Sequence, residues 1–230
     1  MESLEAELDR ARDLDEAELA DAVESIGFEC TRCGACCKAG EAACDDGGAA
    51  SETDPEPHTA TVFPDEIRAL QAEGYDFRDV ARPMPYGIEQ TPDGPRGETF
   101  EWALQTDDCG DCTFYTEDDD GVGACSVHGD RPLICRTYPF SVALGGTSQP
   151  MGEAVDTDGI VRAHECEGLG RDISREDAEE LAAALKERAV RELEEAIAVR
   201  ENYRPTDGDG VVVHDSEGQK RPDGTRLQRD

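Results

Sequence analysis

The chain has 230 residues, 55 acidic side chains against 22 Lys and Arg, a formal net charge of −33, and only 37% hydrophobic and 5% aromatic residues. That length allows one large domain or two small ones, and the composition limits any apolar core to a modest size. The balance excludes the basic footprint that phosphate backbones require, so no nucleic-acid partner is expected. The charge reads either as disorder or as a folded surface in concentrated salt, where screening removes most self-repulsion. Periodic helices, a cysteine framework and lysine only at Lys38, Lys186 and Lys220 favour the second reading, a salt-adapted (halophilic) protein. No apolar run reaches the length of a membrane span, and Met1 leads into an acidic amphipathic stretch instead of a signal peptide. A cytoplasmic protein with no membrane partner is therefore expected. In that compartment the ten cysteines read as metal ligands or redox thiols ahead of a disulfide framework.

Residues 3–26 carry Leu4, Leu8, Leu14, Leu19, Val23 and Ile26 near helical spacing. They predict one or two helices, with Asp13 or Asp15 as a cap between them and Gly27 as the stop. Next comes Cys30-Thr31-Arg32-Cys33-Gly34-Ala35-Cys36-Cys37, four thiols in eight residues. Each Cys-x-x-Cys step can turn two sulfurs onto one centre at the spacing used by zinc and iron–sulfur ligands. Gly34 suits a tight turn at positive φ. Neighbouring side chains diverge in extended backbone, so Cys36 and Cys37 are expected to serve two metals, or one metal and a packing role.

Residues 40–57, acidic and punctuated by Gly47, Gly48, Pro55 and Pro57, read as a mobile loop holding Cys44. Thr61–Phe63 reads as a short strand, Pro64 as the first residue of a helix running to Gly74, and 76–81 as a further helical turn before Pro83. Ile88–Thr91 and Glu98–Leu104 flank Pro92-Asp93-Gly94-Pro95. This predicts a β-hairpin with Phe100 and Trp102 on one face, walling off the second half of the cysteine site.

From Asp107 to Phe140 four more cysteines follow, Cys109, Cys112, Cys125 and Cys135, around an acidic turn at 117–121 too polar to bury. The rings of Tyr138 and Phe140 can shield a metal centre from water. Ser141–Gly146 and a hairpin-like 155–160 then lead to Cys166. Ser174 caps a helix over about 175–200, with Glu176, Asp177 and Glu179 near its positive end and Leu181, Leu185, Leu193 and Ile197 as its inward stripe. Beyond Pro205 the chain reads as a loose polar tail in which Val211–Val213 is the one candidate edge strand. The expected fold is α+β, a small irregular metal-centred domain of short helices and hairpins. Its expected segments are an N-terminal helical stretch (1–27), a cysteine-cluster domain (28–170), a helix packed on it (171–203) and a tail (204–230).

The scarce cations stand beside thiols. Between Arg96 and Arg162 the basic residues are Arg131 and Arg136, flanking Cys135, and Arg32 and Lys38 lie in the first cysteine run. Residues 39–67, equally acidic, have no Lys or Arg. Guanidinium groups lower thiol pKa values and offset the negative charge of a tetrathiolate centre, which assigns that role to Arg32, Arg131 and Arg136.

These motifs resemble the YkgJ-type cysteine-cluster family, the CxxCxxCC domain to which zinc or iron chelation is ascribed. Cys30-x-x-Cys33-Gly34-x-Cys36-Cys37 is similar to its namesake motif, and Cys112-Thr113-Phe114-Tyr115 to its Cys-x-Phe-Leu element. Cys125-Ser126-Val127-His128-x-x-Arg131-Pro132-x-x-Cys135-Arg136-x-Tyr138-Pro139 is similar to its Cys-Ser-Ile-Tyr-x-x-Arg-Pro-x-x-Cys-Arg-x-Phe-Pro segment. Cys166-Glu167-Gly168-x-Gly170 is similar to its terminal Cys-Pro-Gly-x-Gly. The resemblance implies the ligand set Cys30, Cys33, Cys36, Cys37, Cys112, Cys125, Cys135 and Cys166. Cys44 and Cys109 have no clear counterpart; Cys109 could exchange with Cys112 as ligand, and Cys44 reads as a spare thiol. His128 replaces a Tyr of the pattern, and His164 is an outside candidate ligand, a solvent-facing role being the stronger reading.

Three functions compete at this stage. The first is zinc or iron chelation through thiolates from both halves of the chain, with metal ions as the partner. The second is an iron–sulfur oxidoreductase or electron carrier, since Cys30-x2-Cys33-x2-Cys36 matches the first three ligands of the bacterial ferredoxin run. The third is a metal-containing accessory to protein modification of a methylation-like kind, which rests on family analogy. No dinucleotide loop, P-loop, hydrolase elbow or His-Glu-x-x-His is present, so no catalytic residue is named.

Overall fold

The computed structural model describes residues 3–39, 56–144, 154–156, 159–206 and 210–227; the acidic stretch 40–55 with Cys44 lies outside them. The α-helices are α1 (Leu4–Arg12), α2 (Glu16–Ile26), α3 (Pro64–Ala72), α4 (Phe77–Val80), α5 (Leu133–Thr137) and α6 (Arg175–Asn202). The strands are β1 (Thr61–Val62), β2 (Ala81–Pro83), β3 (Ile88–Thr91), β4 (Gly94–Thr99), β5 (Trp102–Leu104), β6 (Tyr115–Glu117), β7 (Gly123–Cys125), β8 (Phe140–Val142), β9 (Ala154–Asp156), β10 (Val161–His164), β11 (Val211–Asp215) and β12 (Gly218–Lys220). This is the α+β class expected. No helix among the described residues is long and apolar enough to cross a membrane. The chain divides into two compact units that interleave along the sequence, Met1–Cys33 with Leu133–Ile197, and Gly34–Pro132 with Ala198–Asp230.

In the first unit Asp15 is the cap between α1 and α2, its carboxylate accepting from the Ala17 and Glu18 amides at 2.8 and 3.3 Å. Gly27, at φ +76°, ends α2, and a Cβ there would meet the Arg171 carbonyl oxygen at 2.4 Å. Strands β8, β10 and β9 form an antiparallel sheet in that order. One buried cluster joins Leu8, Leu19 and Val23 to Phe140, Val142 and Val161 of the sheet and Leu185 and Leu193 of α6. Ala11, Ala20, Ala163, Ala178, Ala182 and Ala189 lie in the same cluster, so small side chains let the elements pack closely while the leucines supply the apolar area. Ser174 caps α6 as expected, accepting from the Asp177 amide at 3.1 Å. Arg188, 1% exposed, sits within this helix. Its guanidinium donates to the Thr137 hydroxyl at 3.0 Å and to the Glu192 carboxylate at 2.7 Å, which is how a buried cation is tolerated.

The second unit holds three small sheets, β1-β5-β2, β12-β11-β4-β3 and β6-β7. Pro64 opens α3 as the sequence predicts. The expected hairpin is present as β3 and β4, paired from Ile88↔Gly97 to Thr91↔Gly94, but its second strand ends at Thr99. Trp102–Leu104 form β5 in a different sheet, paired with β1 and β2. Phe100 is therefore 39% exposed while Trp102 is 1% exposed, and the two do not share one strand face.

The expected loose tail is also corrected. All five residues of β11 are buried, and the strand lies between β12 and β4, antiparallel to the first and parallel to the second. A continuous apolar run such as Val211-Val212-Val213 is how a strand covered on both faces reads. Behind it, Asp215 accepts from the Trp102 indole at 2.8 Å and pairs with Lys220 at 2.7 Å, both charged groups being almost fully buried.

Candidate metal centre

In the second unit the cysteines sit on a turn, a loop and a hairpin. The Cys37 and Lys38 amides both donate to the Gly34 carbonyl, at 2.8 and 3.1 Å, which curls residues 34–38 into one helical turn. Adjacent side chains on such a turn diverge less than on a strand. The Cys36 and Cys37 Sγ atoms accordingly lie 3.8 Å apart, where extended backbone would have separated them. Gly34 has φ +77°, and a Cβ on it would strike the Tyr115 hydroxyl at 2.2 Å, so Tyr115 lies directly over the turn. The Cys112 amide donates to the Cys37 carbonyl at 2.8 Å. Tyr115 and Cys125 are cross-strand partners in β6 and β7, which brings the fourth thiol to the same neighbourhood.

Charge links these four groups. A hydrogen bond from Cys37 pulls the Cys36 thiol down to about 7 against its burial, helped by Arg131. Burial pushes Cys112 up to about 11, and the charges of Cys125 and Cys36 push in the same direction. Burial also raises Cys125, with Arg131 opposing and Cys36 adding to the rise. Thiols that raise one another in this way gain most from a shared cation, since a coordinated thiol loses its proton outright. The positive charge of Arg131 thus acts on two of the sulfurs, Cys36 and Cys125. Arg32 and Arg136 are exposed.

In the first unit the segments bearing Cys30, Cys135 and Cys166 are tied to one another through residues 164–170. The Glu29 amide, next to Cys30, donates to the Gly168 carbonyl at 3.0 Å, and Phe28 bridges to Leu169. The Gly168 amide donates to the Cys166 sulfur at 3.4 Å. On the other side the Tyr138 hydroxyl, one turn past Cys135, donates to the Glu165 carbonyl, and the His164 amide to the Pro139 carbonyl at 2.9 Å. Arg32, between Cys30 and Cys33, has φ +60°, the one non-glycine residue with positive φ among those described.

Among the described residues eight cysteines are outside any disulfide, Cys30, Cys33, Cys36, Cys37, Cys112, Cys125, Cys135 and Cys166; of these Cys112 is buried and Cys30 and Cys36 are exposed. Cys109 is disulfide-bonded, so it has no thiolate to exchange with Cys112. Spacing alone gave no signal for that bond. His164 is buried, 5% exposed, with Nε2 2.9 Å from the Ser141 hydroxyl, which replaces the solvent-facing role expected of it. His128 lies in the short 3-10 turn His128–Asp130, exposed, with its carbonyl accepting from Arg131 at 3.1 Å.

Among the described residues no group of three or more His, Cys, Asp or Glu side chains is gathered into a metal-holding arrangement. The fit of zinc or iron is therefore judged on the donors. An all-sulfur set suits both metals. Tetrahedral bonds of about 2.3 Å give a sulfur–sulfur edge of about 3.8 Å, the separation found between Cys36 and Cys37.

An α+β scaffold carrying free thiols on turns and strand ends defines a cysteine-cluster domain. Residues 29–167 match the model of one such family, "CxxCxxCC: Putative zinc- or iron-chelating domain", over more than half of the chain, and the chain belongs to that family. No curated protein and no solved structure matches it.

Proposed function

We propose that this protein chelates zinc or iron through the thiolates of Cys30, Cys33, Cys36, Cys37, Cys112, Cys125, Cys135 and Cys166, with Cys112 and not Cys109 in the set. The observation that carries the reading is the Cys36–Cys37 pair, whose 3.8 Å separation fits two ligands of one tetrahedral ion. Arg131 supplies positive charge beside Cys36 and Cys125, and Tyr115 covers the turn that holds Cys36 and Cys37. A bound zinc ion closes loops that have little regular structure, and a bound iron ion adds one-electron chemistry to the same ligands.

The ferredoxin-like spacing supports a second reading, an iron–sulfur carrier, but the short Cys36–Cys37 edge weighs against a cube in which each iron takes its own thiolate. Anaerobic purification followed by metal and sulfide analysis and absorption spectroscopy tests both. A colourless zinc protein, or a mononuclear iron–thiolate spectrum without sulfide, is the expected result. A brown protein with stoichiometric sulfide supports the second reading, and a folded protein that takes up neither metal overturns both. Cys33→Ser and Cys135→Ser are expected to lower the metal content, and Cys109→Ser to leave it unchanged.

A further inference from the structure

Among the described residues the eight cysteines outside any disulfide do not fall evenly along the sequence, but they do fall evenly between the two units. The boundary between the units cuts the first cysteine run after its second member, between Cys33 and Gly34, and cuts the later motif between Pro132 and Leu133. Cys30, Cys33, Cys135 and Cys166 thereby belong to one unit, and Cys36, Cys37, Cys112 and Cys125 to the other. We propose that these are two separate four-thiolate sites, each taking one tetrahedral divalent metal ion. The proposal rests on the chelation reading above and adds the number of ions and which thiols share each.

The backbone carries the assignment. Cysteine has one side-chain torsion, so the segments that the main chain ties together decide which sulfurs can meet. In one set the tie is direct: Cys112 N–H to Cys37 C=O at 2.8 Å, Cys125 across from Tyr115, and Tyr115 over Gly34. In the other, residues 164–168 are bonded on one side to Glu29, beside Cys30, and on the other to Tyr138 and Pro139, just beyond Cys135. Cys33 lies three residues from Cys30, on the same side of the boundary between the units.

Four thiolates complete a closed structural zinc site, so neither set needs a ligand from elsewhere. The adjacent pair Cys36–Cys37 then serves one ion, in place of the two metals, or one metal and a packing role, that an extended backbone suggested.

The test uses the full chain loaded with 113Cd, examined by native mass spectrometry and cadmium NMR. Two ions per chain and two tetrathiolate resonances are expected. Cys135→Ser and Cys166→Ser should each remove the same resonance, and Cys37→Ser and Cys125→Ser the other, each variant retaining one ion. Because a lost thiolate can unfold its surroundings, Cys166→His and Cys125→His provide ligand-preserving controls, each expected to shift one resonance and leave the other in place. A single resonance, or Cys166→His and Cys125→His shifting the same one, overturns the partition while leaving chelation standing. Absence of bound cadmium overturns the chelation reading itself.

Discussion

The two units bury their interiors by different means. The first lays α1, α2 and α6 against one three-stranded sheet, and its buried cluster is apolar over both helices and strands. The second spreads its strands over three small sheets and buries charge within them, Lys220 against Asp215 with the Trp102 indole on the same carboxylate. Its thiols lie where regular structure is thinnest, on the 34–38 turn, at Cys112 and in a hairpin of two three-residue strands. Isolated hairpins of that size are marginal in water. The contrast teaches that thiols need not have equal weight in folding: the second unit has buried apolar side chains of its own, such as Ile67, Leu70 and Leu104, but its cysteines sit in its least regular part.

The largest expected effect breaks or confirms that contrast directly. Structural zinc contributes on the order of 10–16 kcal/mol in small domains. Stripping the metal with a chelator should therefore abolish amide-exchange protection over 112–127 while residues of α6 such as Leu185 and Leu193 keep theirs. Equal loss in both places would show that the first unit depends on its metal just as heavily.

Next in size is the buried ion pair. Lys220→Met leaves Asp215 charged and buried without its cation, and such a break costs about 3–5 kcal/mol. Urea unfolding followed by Trp102 fluorescence should register it. The same region should be acid-sensitive. Burial opposes ionisation of Glu217, but hydrogen bonds and charge from Lys220 and Arg68 overcome it and hold the carboxyl at about 2. A folded pKa below the ordinary value of 4.5 means stability that is present above pH 4.5 and lost as the pH falls toward 2. Trp102 fluorescence should therefore report loosening in that window, and a Glu217→Gln variant should show a smaller change across it.

The smallest effect sharpens the comparison from the side of the first unit. Asp15→Ala removes the acceptor for two amides at the start of α2 and should cost about 1 kcal/mol in thermal unfolding. Asp15→Asn should recover most of it. Metal content is expected to stay unchanged in both variants.

Much of the local structure was legible because local physics governs it. The Asp15 and Ser174 caps, Pro64 at a helix start, the Gly27 stop and a turn after Thr91 each depend on a few neighbouring residues, although that turn is only Pro92–Asp93 and Gly94 and Pro95 already lie in β4. The errors came where distant partners decide. Glu98–Leu104 looked like one strand, yet pairing divides it between two sheets, with β4 beside β11 and β5 beside β1 and β2. Val211–Val213 looked like a possible edge in a polar tail because its partner lies more than a hundred residues earlier. Arg188 is buried because the Thr137 hydroxyl, the Phe140 carbonyl and the Glu192 carboxylate accept its N–H groups, two of them from distant residues.

The sequence by itself determined the local features: thiols in Cys-x-x-Cys steps, a family pattern from Cys30 to Cys166, and helices whose period and caps are written in adjacent residues. Only the tertiary structure decided where particular cysteines stand: a curled turn sets Cys36 beside Cys37, and Cys109 is disulfide-bonded. Spacing along a chain fixes which sulfurs are near in sequence, but long-range hydrogen bonds and packing fix where each segment returns, and those contacts govern which thiols can share an ion.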